Sequence, residues 1–86
     1  MHFVKQVSYL SEYKLVITFE DNRARLVDLA NELDGEIFEP LKDIHYFKTV
    51  RVDPDIDTIV WGNGADMAPE FLYDISTPIF QTAQAT

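Results

Sequence analysis

Cysteine is absent from the 86 residues. That excludes a disulfide framework, a thiolate metal site and a cysteine nucleophile, and it makes a reducing compartment the expectation. No apolar run approaches the roughly 18 residues of a membrane-spanning helix. The opening Met1-His2-Phe3-Val4-Lys5-Gln6 has no signal-peptide apolar stretch. A soluble cytoplasmic protein with no membrane partner is therefore expected. Basic residues are scarce: 7 Lys and Arg stand against 15 Asp and Glu, a net charge of −8. Residues 1–29 hold four of each sign, so the whole excess falls in residues 30–86, with three basic and eleven acidic groups. Such a field repels phosphate backbones and attracts basic surfaces. No direct nucleic-acid contact is expected, and a protein with a basic surface is the expected kind of partner. Solubility alone is the simplest use of the charge.

Glycine and tryptophan are scarce as well, with three and one copies, and two of the glycines and the tryptophan fall in residues 58–73. Thr58-Ile59-Val60-Trp61 is β-branched and aromatic, which suits a strand. Asn63-Gly64 suits a two-residue type I′ turn, so a hairpin between Val60-Trp61 and Ala65-Asp66 is predicted. Pro69 fits the first turn of a helix, and Glu70 complements its positive end. Ser76-Thr77-Pro78 stops that helix. Trp61, Asn63, Gly64, Asp66 and Pro69 thus form a packing and turn motif.

A chain of this length makes one domain, and a composition of 47% hydrophobic and 26% charged residues is globular. Residues 3–10 alternate loosely. Residues 13–20 alternate clearly, with Leu15, Ile17 and Phe19 on one face and Lys14, Val16, Thr18 and Glu20 on the other. Asp21-Asn22 is the predicted turn, and residues 23–29 return as a third strand. Asp28 is a candidate N-cap for a helical turn through Leu33 that ends near Gly35. Phe38, Leu41, Ile44 and Phe47 recur every three residues, and with Pro40 and Asp43 they predict a helix of about two turns. Residues 49–53 are a fourth strand, and residues 53–57 a turn. Phe19-Glu20-Asp21-Asn22 is a weak internal echo of Trp61-Gly62-Asn63-Gly64. The expected fold class is α+β: an antiparallel sheet, built from a three-stranded meander plus further strands and a hairpin, with two or three short helices on one face. Residues 1–76 form the expected domain, and residues 77–86 a frayed tail.

Chemistry-bearing constellations are thin. Asp53, Asp55 and Asp57 have the first spacings of a calcium loop, but Thr58 and Gly64 stand where that loop needs Gly and Glu, so a solvated turn is the simpler reading. His2 and His45 have no ligand partner at helical spacing. Gly62-x-Gly64 lacks the rest of a phosphate loop. No metal, cofactor or catalytic residue is expected. Arg23, Arg25 and Arg51 are too few for a nucleic-acid face. Asp28, Asp66 and Glu70 could serve as paired carboxylates in an enzyme or small-ligand binder, though such residues more often cap helices.

Several runs together resemble the bacterial "domain of unknown function 2442" family. They are Leu15-Val16-Ile17-Thr18-Phe19-Glu20-Asp21, Arg25-x-Val27-Asp28-Leu29, Phe38-x-Pro40-Leu41, Phe47, Val50-x-Val52-Asp53, and Ile59-Val60-Trp61-x-Asn63-Gly64-Ala65-Asp66-x-Ala68-Pro69-Glu70-x-Leu72-Tyr73. The resemblance covers about Val4 to Tyr73. Gly62 departs from it, since a proline is common there. Some relatives carry a helix-turn-helix after this domain; with the chain ending soon after Tyr73, that route to DNA is not expected here. Short members often lie beside another small gene, an arrangement resembling a toxin–antitoxin pair. Some relatives are labelled as molybdopterin-related enzymes, and no nucleotide loop here supports that. The expected function is a protein-interaction module, antitoxin-like in a two-gene pair, with the enzyme or ligand binder using Asp28, Asp66 and Glu70 as the alternative. The candidate interaction surface is Val16, Val27, Asp28 and Glu70. Val16 and Val27 are expected on the sheet face away from Leu15, Ile17 and Phe19, where a second copy of the chain could cover them in a homodimer.

Overall fold

The computed structural model describes residues 2–79. In chain order these form β1 (Val4–Ser11), β2 (Lys14–Phe19), β3 (Ala24–Asp28), a 3₁₀ helix (Glu36–Lys42), α1 (Ile44–Phe47), β4 (Arg51–Asp53), β5 (Thr58–Val60), α2 (Pro69–Ile75) and β6 (Thr77–Pro78). A four-stranded antiparallel sheet runs β1-β2-β3-β6, and β4 and β5 pair as a second, two-stranded sheet. The protein is α+β, with its short helices against one face of the larger sheet.

The alternation of β2 decides which face that is. Leu15, Ile17 and Phe19 are fully buried, whereas Lys14, Val16 and Thr18 are half-buried. From the other elements Leu29, Leu41, Phe47, Ile59, Trp61 and Leu72 close over that face. At about 25 cal/mol per Å² of apolar surface, this single core is the main source of stability in so small a domain.

The two hairpins that frame the core close in the same way. Phe19 N–H donates to Arg23 O at 3.2 Å, and Asn22 N–H to Phe19 O at 2.9 Å. In the second hairpin Trp61 N–H donates to Ala65 O at 2.9 Å, and Gly64 N–H to Trp61 O at 3.0 Å. The third loop residue is left-handed in both, with φ 65° at Asn22 and 91° at Gly64. Each is a three-residue loop ending in an αL residue, the arrangement that places a bulge beside the turn. The sequence echo between these segments is thus a shared turn geometry.

That geometry corrects two expectations. Asn63 does not take a positive φ, so the second turn is not the predicted type I′. In the first hairpin the three-residue loop pairs Leu15 with Val27 and Val16 with Leu26. Val27 therefore lies on the core face and is fully buried, not outside with Val16. A two-residue loop at Asp21-Asn22 would have paired Val16 with Val27; one extra loop residue moves every side chain of β3 to the other face.

Three further expectations change. The segment after Asp28 is not helical: the Asp28 carboxylate accepts from Ala30 N–H at 3.0 Å, and Glu32 N–H donates to Leu29 O at 3.0 Å, giving consecutive turns. The two-turn helix is split into the 3₁₀ helix and α1. Asp43, extended at φ −79° and ψ 115°, interrupts them and caps α1 by accepting from His45 N–H at 3.0 Å. A spacing of three is the 3₁₀ period, so Phe38 and Leu41 stack on one side. Finally, Thr77 and Pro78 are not tail: they pair with Leu26 and Arg25 at the sheet edge. Residues 80–86 of the expected tail lie outside the described residues.

Candidate functional site

The Trp61 motif is a clip at the centre of the fold. Trp61 is 2% exposed, and its indole N–H donates to Phe47 O at 3.0 Å. Asn63 Nδ2 donates to Ile37 O at 2.9 Å, while its Oδ1 accepts from Ala65 N–H at 3.1 Å. One asparagine thus shapes its own turn and ties it to the 3₁₀ helix. Thr58 Oγ1 donates to Met67 O at 2.5 Å, closing the hairpin at its open end. Pro69 begins α2, where its missing N–H costs nothing. Asp66 is exposed opposite Val60. A Cβ at Gly62 would meet the Tyr46 hydroxyl at 3.4 Å, an ordinary contact.

The outer face of the larger sheet is a second feature. Ser8, Val16, Leu26 and Thr77 form one row across it, and Gln6, Thr18 and Ala24 the next. Lys14 and Asp28 face each other in a third row, so the paired rows of this face balance one charge of each sign, and Lys14 Nζ also lies 3.2 Å from Glu12 Oε1. Val16 and Leu26 keep part of their surface in solvent. Beside them a groove of about 400 Å³ runs between β1 and β4, lined by Val50, Arg51 and Val52 on its far wall. β1 is an edge strand with two register shifts, which blunt it as a template for further strands.

The third feature surrounds the chain start. The His2 ring stacks on Tyr73 with centroids 3.7 Å apart and planes 4° from parallel. His2 Nδ1 lies 3.1 Å from Glu20 Oε2, and His2 N–H donates to Glu70 Oε2 at 2.5 Å. Glu20 Oε1 accepts from Phe3 N–H at 2.9 Å. That backbone donor, helped by His2, holds the Glu20 carboxyl below its ordinary value of 4.5 against an opposing effect of desolvation. From β3, Arg25 sits 4.6 Å over the Tyr73 ring of α2 and donates through Nε to Ser76 Oγ at 2.6 Å.

These positions separate the residues singled out in the sequence. Val16 and Asp28 are on the outer face, Val27 is in the core, and Glu70 is on α2 beneath the other face. Asp28 is at the Lys14 end of β2, while Glu70 reaches the Glu20 end through His2. Six residues of strand at about 3.3 Å each put these ends about 20 Å apart, so Asp28 and Glu70 are not a carboxylate pair. Among the described residues no group of three or more His, Asp or Glu is placed to hold a metal ion, and no helix is long and apolar enough to cross a membrane. Leu26 and the His2–Glu20–Glu70 contact were missed in the sequence. The first depends on loop length, and the second on contacts between residues 18 and 68 positions apart.

A small α+β domain whose antiparallel sheet is covered on one side is the class that this fold defines. The chain belongs to the family described as "Protein of unknown function (DUF2442)", whose profile matches residues 4–78. No curated protein and no solved structure matches it.

Proposed function

We propose that this chain is a protein-interaction module that works through the outer face of its four-stranded sheet. The observation that carries the reading is the Val16–Leu26 row, partly exposed with no helix of the described fold over it. Apolar surface on a rigid sheet gains free energy when a second surface covers it. The net charge of −8 opposes self-contact elsewhere on the molecule, but this face carries one Lys and one Asp. A second copy can therefore meet it across a two-fold axis without gathering charge of one sign.

A finer form of the reading is an antitoxin-like member of a cytoplasmic two-gene pair, holding a protein with a basic surface. The excess of acidic groups and the resemblance to short family members support it. Co-expression with the product of an adjacent gene tests this form; failure to co-purify removes it. The alternative use of Asp28, Asp66 and Glu70 in catalysis or ligand binding draws no support from Asp28 and Glu70 together, since they lie near opposite ends of β2.

An NMR dilution series tests the module itself. The Val16 and Leu26 methyl signals should move with protein concentration, while those of the buried Ile17 and Leu72 stay fixed. Methyls that are indifferent to concentration and to any candidate partner would remove the sheet face as a binding surface.

A further inference from the structure

A second apolar surface lies at the His2 end, away from the outer sheet row. Phe3 and Ile56 are 37% and 48% exposed and lie together in one cleft, so they form a patch rather than scattered single residues. Their backbone is fixed: Val4 N–H donates to Asp57 O at 2.9 Å, and Glu20 N–H to Phe3 O at 2.9 Å. Phe3, Ile56 and Pro69 line a cleft of about 230 Å³ with His2, Asp57 and Glu70 at its rim. A cleft of about 490 Å³ adjoins it through Phe3 and Asp57, and adds Val52, Pro54, Lys5 and Glu20. The smaller cleft is below the size of an ordinary small-molecule site and is suited to one large side chain.

The rim is acidic. Glu20, Asp57 and Glu70 line the two clefts, and Asp53 and Asp55 share the turn that carries Ile56. Among the described residues the salt bridges take Glu20, Glu12 and Glu39, so no cation pairs with Asp53, Asp55, Asp57 or Glu70. The one lysine in the lining, Lys5, donates to Asn22 Oδ1 at 2.6 Å. A second copy of the chain would bring these carboxylates against their equivalents, and a nucleic acid or anionic membrane would meet the same repulsion.

We infer that this cleft docks a basic segment of a different protein, with an aliphatic or aromatic side chain seated between Phe3, Ile56 and Pro69 and flanking Lys or Arg meeting Asp57 and Glu70. The inference adds a surface to the interaction module and stands apart from its sheet face. Monomeric behaviour in solution would remove sheet-face self-association and leave this cleft untouched.

The test is selection of a random nonapeptide library on the intact chain, followed by titration of the enriched peptides into isotope-labelled protein. Enriched peptides should place a large apolar residue beside Lys or Arg, and should shift the amides of Phe3, Ile56 and Glu70. Ile56→Ser should weaken binding about tenfold by removing apolar contact. Asp57→Asn should weaken it about threefold, as a rim charge does; asparagine tolerates the φ of 57° at that position. Both sites are exposed, and unchanged melting temperatures would show that the variants fold. Absence of basic, apolar peptides from the enriched pool, or equal binding by the double variant, would overturn the inference. So would loss of self-association in the double variant, which would make a second copy the occupant.

Discussion

Leu15 stands directly opposite Val27, and neither has any exposed surface. One position along, Val16 stands opposite Leu26 on the outer face. Val27→Lys would therefore place an unpaired ammonium in the core. Such a group costs about 3–5 kcal/mol, a large part of the roughly 5–15 kcal/mol that holds a domain together. Val16→Lys and Leu26→Lys should each stay within about 1 kcal/mol of the parent, as surface changes do. Urea unfolding of the three variants checks this, and a Val27→Lys protein as stable as the parent would refute the register.

Trp61→Ala should cost about 3–5 kcal/mol through the cavity it leaves. Trp61→Phe should cost less, but not nothing, because the buried Phe47 carbonyl loses its 3.0 Å donor. Thermal unfolding should rank the proteins parent, Trp61→Phe, Trp61→Ala. Equal stability of the last two would mean that burial of the ring contributes little.

Gly64 has φ 91° and open space where a Cβ would lie. Substitution there meets backbone strain and no collision. Gly64→Ala should cost about 1–2 kcal/mol, Gly64→Asn less, and Gly64→Val most, since a β-branched residue resists the left-handed region. A valine variant as stable as the asparagine variant would contradict the turn assignment.

Glu20 has a folded pKa depressed below its ordinary value, first by the Phe3 N–H and then with help from His2. A depressed acid stabilises the fold above its unfolded pKa, and that contribution is lost as pH falls through the folded value. The parent should therefore lose stability between about pH 5 and pH 3, and Glu20→Gln should show a shallower loss in that window. Parallel curves for the two proteins would mean that the carboxylate does not anchor the chain start.

Strand β2 was readable because its alternation is local, and α2 because Pro69 and Ser76 mark its ends. The face of β3 was not, because it hangs on whether Glu20 belongs to the loop. The sequence permits either a two- or a three-residue turn at Asp21-Asn22, and packing of Val27 against the core selects the latter. Residues 36–47 showed their period of three in plain view; that spacing is 3₁₀ rather than α, and Asp43 supplies the break. The short strand Thr77–Pro78 has too few residues for any pattern. Its place follows from α2 ending at Ser76, which Arg25 holds beside β3. The His2 cluster joins side chains far apart in sequence, and no local pattern announces it.

Self-association through the outer sheet face is the central claim, and sedimentation velocity tests it most directly. The parent at about 100 μM, well above a dissociation constant on the order of micromolar, should sediment as a dimer. Val16→Lys combined with Leu26→Lys should sediment as a folded monomer. A parent protein that is monomeric at that concentration, or a double variant that remains dimeric, would contradict the claim.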